Sequence, residues 1–112
     1  MTDKIPYDDF AKLDLRVGQV IDVQAHPKAD KLYILTVDLG EEKPRTIVAG
    51  LRPHYEAEEL KNKKAIFIAN LQPVILRGIE SNGMILAASN EDKTKVHILT
   101  PDNDLPVGSK VS

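Results

Sequence analysis

The chain contains no cysteine. A disulfide scaffold, a thiolate zinc site, an iron–sulfur cluster and a cysteine nucleophile are all excluded on that count. Tryptophan is absent too, and the aromatic residues are two phenylalanines and three tyrosines. Proteins that thread single-stranded nucleic acid usually stack bases on such rings, so this supply is poor for that task. No uninterrupted apolar run exceeds five residues, far below the roughly 20 that span a bilayer. The opening Met1-Thr2-Asp3-Lys4-Ile5-Pro6 lacks the apolar core of a secretory signal, and the expectation is a cytoplasmic protein with no membrane partner. A strong charge of one sign is also missing: 15 Lys+Arg face 17 Asp+Glu, a net charge of −2. That balance argues against a protein that is basic all over and adheres to any polyanion.

Catalytic constellations are scarce as well. His26, His54 and His97 stand far apart, without the paired spacing of a metal site. Ser81 lies among glycines but not at the spacing of a nucleophile elbow. No glycine-rich loop carries a lysine to cradle phosphates. The expectation is a non-catalytic protein without cofactor.

What the chain does contain is an uneven charge distribution and a clear change of period. Residues 1–60 hold 8 basic and 12 acidic side chains, whereas residues 61–100 hold 6 basic and 3 acidic. A basic patch on an acidic body is one reading, and a solvated surface with local fluctuation is the other. At 112 residues, with 42% hydrophobic and 29% charged, the chain forms one folded domain over residues 1–112. Pro6–Lys12 suits one or two helical turns, with proline at the start and Asp8 and Asp9 at the positive end of the dipole. From Leu15 the period is two, with Leu15, Val17, Ile21, Val23 and Ala25 on one side. This predicts a long half-buried strand, bent or bulged near Gly18. Further strands are expected at Lys31–Leu39, Arg45–Ala49, Lys63–Ala69, Gly83–Ala88 and Thr94–Leu99. A short helix is expected at Pro53–Leu60, and Asn70–Asn82 reads as a connection. Three strands, a helix and two more strands is the order of the OB-fold, a five-stranded all-β barrel that presents one face and its loops to oligonucleotides. The barrel is expected over about residues 13–89, with an N-terminal helical turn and a C-terminal strand extension at 90–112.

Several segments carry a family resemblance together. They are Phe10-Ala11-Lys12-Leu13-Asp14-Leu15-Arg16-Val17-Gly18, His26-Pro27-Lys28-Ala29-Asp30-Lys31-Leu32-Tyr33, Ile47-Val48-Ala49-Gly50-Leu51, Asn70-Leu71-Gln72-Pro73, and Gly78-Ile79-Glu80-Ser81-Asn82-Gly83-Met84-Ile85-Leu86-Ala87-Ala88. In this order the chain resembles the tRNA-binding domain that ends many methionyl-tRNA synthetases. That domain also occurs as a separate β subunit and as free-standing structure-specific tRNA-binding proteins. The resemblance implies an OB-fold without catalysis, and a homodimer formed with help from residues 90–112. It further implies binding of tRNA by shape, largely without regard to base sequence, and a methionyl-tRNA synthetase catalytic chain as a possible partner. A secretion-associated, peptide-binding chaperone dimer shares the fold and is the alternative reading. Its apolar groove would involve Val74, Ile75 and Leu76, where this chain keeps only Arg77 of the basic residues usual in that stretch.

Within that frame the candidate tRNA contacts are as follows. Lys31 opens the second strand and offers a point charge to phosphate; a solvated strand end is the alternative. Arg45 and Arg52, with Arg16, suit phosphate or a base face, or else pair with carboxylates. Lys63 and Lys64, beside Lys61, follow the short helix and equally suit its dipole. Arg77 joins this positive face. Ser81 and Asn82 offer a hydroxyl and an amide to ribose or phosphate, and Met84 a thioether to a base or sugar face. Each has a turn or core role as its alternative. Tyr33 is the one aromatic considered as a stacking platform.

Overall fold

The computed structural model describes residues 2–112. Its elements in chain order are α1 (Tyr7–Ala11), β1 (Leu15–Ala25), β2 (Tyr33–Asp38), β3 (Arg45–Ala49), α2 (Ala57–Leu60), β4 (Lys64–Ile68), β5 (Val74–Leu76), β6 (Ile79–Ser81), β7 (Met84–Ile85), β8 (Ala87–Ser89), β9 (Val96–Ile98) and β10 (Lys110–Val111). The main sheet runs β3-β2-β1-β4-β7, all antiparallel. With α2 between β3 and β4, this is the OB-fold order expected from the sequence. Among the described residues no helix is long and apolar enough to cross a membrane.

The core includes Val17, Val20, Leu35, Val37, Ile47, Leu60 and Phe67. β2 buries alternate residues, but in β1 the expected face holds only at Leu15 and Val17: the bulge after Val20 shifts the phase, so Val20 is buried while Ile21 and Ala25 are exposed and Val23 is half-buried. Leu60 is the buried residue of α2, whose start is fixed by a reciprocal capping box between Glu56 and Glu59. The long β1 serves two neighbours in turn. Leu15–Gln19 pair with β4, and Gln19–Ala25 pair with β2.

Four local expectations change. The bulge in β1 lies between Val20 and Asp22, not at Gly18. Gly18 has a different reason to be glycine: a Cβ there would sit 2.7 Å from Leu39 Cδ2 and 2.8 Å from Phe67 Cδ1. The expected strand Gly83–Ala88 breaks at Leu86, which switches partners. Its N–H donates to Ile66 O, while its own carbonyl accepts from Leu99 N–H. The stretch Asn70–Asn82 contains a hairpin, β5–β6, closed by Arg77-Gly78. Finally, the chain beyond residue 89 is not an appendage to a finished barrel. β9 pairs with β8, β10 pairs with β1 through Leu15↔Val111, and Val17 exchanges backbone hydrogen bonds with Gly108 and Ser109. Val96 and Ile98 pack against the core.

The barrel closes where β3 meets the β6–β7 stretch, and it closes without a regular ladder. Asn82 N–H donates to Thr46 O at 2.8 Å. The Ser81 hydroxyl accepts from Val48 N–H at 2.9 Å and donates to Gly83 O at 3.1 Å.

Candidate nucleic-acid interface

The loop from β1 to β2 begins at His26 and ends at Leu32, and two backbone bonds fold it tightly: His26 N–H to Leu32 O at 3.1 Å and Leu32 N–H to Ala29 O at 3.3 Å. Across from it stands the tip of the β5–β6 hairpin. Together they form a cleft of about 440 Å³ lined by Ala29, Asp30, Lys31, Leu32 and Arg77. Arg52, just after β3, reaches the same loop, with Nη1 donating to Ala29 O at 3.4 Å. Among the described residues, none of Lys31, Arg52 and Arg77 is in an ion pair. Asp30 is the one carboxylate of the cleft, so the local balance is positive on a chain that is negative as a whole.

A second cleft of about 310 Å³ adjoins it. Val48, Ala49, Gly50, Leu51, Met84, Ile85, Ala87 and Val96 line it, so its wall is apolar. Gly50 links the two clefts, since a Cβ there would lie 4.0 Å from Leu32 Cδ2 in the basic one. Met84 is 44% exposed and can cover an apolar ligand face. Half-buried Asn82, two residues before Met84, is not part of this wall, and its N–H is given to Thr46.

The other expected contacts are placed elsewhere or are already engaged. Ser81 is 2% exposed and spends its hydroxyl on closing the barrel. Tyr33 is buried, and its hydroxyl donates to Tyr55 O at 2.7 Å, so its ring is no stacking platform. Its alternation in β2 pointed to that buried face. Arg45 forks onto Glu41, with Nε and Nη2 each 2.8 Å from a carboxylate oxygen, and its Nη1 donates to Ala69 O. This pairing holds the Glu41 carboxyl below the usual glutamate range and raises Arg45. Arg16 is likewise committed, to Asp14 at 2.6 Å and to Gly108 O. Lys64 donates to Asp104 at 2.7 Å and to Leu105 O at 2.6 Å, tying the C-terminal segment to β4 and lowering the Asp104 carboxyl. Lys63 is exposed and unpaired among the described residues, but it lines a separate polar cleft with Gln19, Asn62, Lys64 and residues 100–104. The single positive face expected from sequence is therefore two. Register explains the split: Lys64 pairs with Gln19, whereas Lys31 lies beyond the Ala25↔Tyr33 pair at the far end of β1.

The structure also shows a participant that sequence reasoning did not single out. His26 is 3% exposed, accepts from Lys28 N–H through Nδ1 at 3.0 Å, and meets Leu76 O through Nε2 at 3.1 Å. The one available signal was its place at the head of the motif that carries Lys31. Among the described residues, no cluster of three or more histidine or carboxylate groups is arranged to hold a metal ion.

Comparison with known proteins agrees with this geometry. The model of the tRNA binding domain family matches residues 15–110. A methionine–tRNA ligase of Pyrococcus horikoshii is 56% identical over 107 residues, covering 96% of this chain and 14% of that enzyme. The chain thus spans about one seventh of the length of such curated relatives. A solved methionyl-tRNA-synthetase-related protein, also of Pyrococcus horikoshii, superposes with a TM-score of 0.92 at 37% identity, covering 99% of this chain and 100% of that one. The chaperone CsaA of Bacillus anthracis superposes with a TM-score of 0.87 at 28% identity, covering 98% of this chain and 100% of that one.

Proposed function

Because the chain belongs to the tRNA binding domain family, we propose that it binds tRNA through the cleft between Lys31 and Arg77. It does so by shape and backbone charge rather than by reading bases. The observation that carries this reading is the convergence of three cations, Lys31, Arg52 and Arg77, without ion-pair partners among the described residues, around one tightly folded loop. Phosphate contacts need only such donors and carry no sequence information. The apolar cleft under Met84 adjoins it and suits a sugar or base face. Recognition of a folded RNA also fits the loss of Tyr33 as a platform. The role is non-catalytic: the module raises affinity for tRNA, either as a free-standing homodimer or as the tRNA-binding part of a methionyl-tRNA synthetase. Dimerisation draws on the exposed apolar residues Val74, Ile75, Leu99 and Leu105 and on residues 90–112.

The test is a salt titration of binding to unfractionated tRNA, by filter retention, for the intact chain and for Lys31→Ala. Counterion release makes log K fall with log salt by roughly 0.7–0.9 per phosphate contacted. Lys31→Ala is expected to weaken all tRNAs alike and to reduce that slope by about one contact per chain. Unchanged affinity and slope would place the tRNA surface elsewhere.

A second reading, a peptide-binding chaperone dimer, is favoured by one observation: Val74 and Ile75 on β5 are 52% and 67% exposed. The CsaA neighbour fits it too. Capture of unfolded polypeptide in the same titration, with no retention of tRNA, would select it.

A further inference from the structure

We propose that His26 is a positioning residue of the basic cleft: its imidazole pins the Arg77 turn to the loop that carries Lys31, so that both cations meet one phosphate. This rests on the tRNA-binding reading above.

The ring is fully committed. Lys28 N–H points at Nδ1, so Nδ1 is the acceptor and the ring hydrogen sits on Nε2, donating to Leu76 O. One face of the cleft is thereby joined to the other through a single side chain. On the loop side, the same residue also donates its own N–H to Leu32 O, closing the segment that holds Lys31. On the hairpin side, Leu76 directly precedes Arg77, and no other side chain among the described residues hydrogen-bonds to β5.

The hairpin needs such an anchor. β6 is tied to β3 through Ser81, but β5 has only three residues and, among the described residues, no partner strand besides β6, and a two-stranded pairing by itself is marginal in water. Its tip is also conformationally costly. Arg77 has φ 51° and Gly78 has φ 87°, the two-residue turn with positive φ at both positions that ordinarily takes asparagine before glycine. A long cationic side chain in that first position persists only where the surroundings determine it. His26 supplies the determination, and the guanidinium at the tip is what it delivers to the cleft.

The experiment uses the intact chain and unfractionated tRNA across a salt series, with melting curves in parallel. His26→Asn keeps the bond to Lys28 N–H, because an amide oxygen reaches the N–H two residues on, but it is too short to reach Leu76. In the wild-type background Arg77→Ala is expected to weaken binding about tenfold and to lower the salt slope by roughly 0.7–0.9. In the His26→Asn background the same change is expected to cost less than twofold, while Lys31→Ala keeps its full effect there. A merely structural histidine would lower the melting temperature and leave the Arg77 contribution intact. A full tenfold Arg77 effect in the His26→Asn background overturns the positioning role and leaves the tRNA reading standing. So does an inert Arg77→Ala beside an effective Lys31→Ala. Absence of tRNA binding by the wild type overturns both. If His26→Asn does not melt cooperatively, His26→Gln replaces it. Its amide nitrogen reaches Leu76, so Arg77→Ala must then cost as much as in wild type, and a lost contribution in a folded chain overturns the proposal.

Discussion

The Ser81 hydroxyl carries two hydrogen bonds at the seam of the barrel, one from β3 and one within its own turn. Ser81→Ala leaves Val48 N–H buried without a partner. The expected loss is about 1–3 kcal/mol, read as a lower urea midpoint, while the folded fraction keeps its tRNA salt slope. A variant with wild-type stability and weakened tRNA binding would instead return Ser81 to the RNA surface. A second residue-scale expectation concerns acid. The hydrogen bond from Arg45 holds the folded Glu41 carboxyl below its ordinary 4.5. The stability from this pair is complete above about pH 4.5 and is lost as pH falls through the lower folded value. The Glu41 carboxylate raises Arg45 above the ordinary arginine value, so its own loss lies far in alkali. Melting temperatures are therefore expected to decline below about pH 4.5, and Glu41→Gln to flatten that decline. An unchanged acid limb in Glu41→Gln would show that the pair contributes nothing measurable, the usual fate of an exposed ion pair.

Elements show a division of labour between scaffold and display. β2 buries alternate residues, and its pairing with β1 fixes the register that sets Lys31 beyond Tyr33. The β5–β6 hairpin forms its own two-stranded sheet, joined to β3 through Ser81, and offers exposed Val74, Ile75 and Arg77. Its turn trades stability for charge. Arg77→Asn places the favoured residue before Gly78 and is expected to raise stability by a few tenths to about 1 kcal/mol. The same change removes a cation from the cleft, so tRNA affinity is expected to fall. Melting and filter binding on one preparation measure both signs. A substitution that lowers stability would show that the arginine makes contacts beyond its turn. Tyr33 and Tyr55 extend the scaffold role to the C-terminal region: Tyr33 Oη donates to Tyr55 O, and Tyr55 Oη accepts from Ile98 N–H. That chain of bonds couples β2 to β9.

At the scale of the whole molecule, truncation after Ser89 removes more than the proposed dimer contact. It strips β10 from β1, takes Val96 and Ile98 from the core, and leaves Lys64 without Asp104. Loss of a cooperative melt is expected, and a truncated chain that still melts cooperatively would show that the barrel stands without its closing segments. The homodimer is tested separately on the intact chain. Sedimentation equilibrium is expected to give two chain masses, and one chain mass at tens of micromolar would contradict it. A dimer would carry a net charge of −4 from two chains of −2. Long-range repulsion from RNA then leaves local convergence of cations as the source of attraction, with the steep salt dependence that phosphate contacts bring.

The sequence by itself determined the strands of the barrel and their order, because period-two burial over Tyr33–Asp38 and over the first part of β1 is a local signal that packing only reinforces, whereas the bulge after Val20 turns Ile21 outward. It also marked Lys31 and Arg77, which the fold brings to one cleft. Only the tertiary structure decided which charges remain available. Arg45 and Arg16 look like Lys31 in composition, yet Glu41 and Asp14 engage them, while Lys64 meets Asp104 from 40 residues away. It alone separated Lys63 from Lys31, since strand register, not sequence distance, sets which end of β1 each faces. The seam role of Ser81 and the clasp of His26 depend on contacts 33 and 50 residues apart along the chain. Such bonds leave no periodic trace, because they join elements whose mutual placement exists only once the barrel has closed.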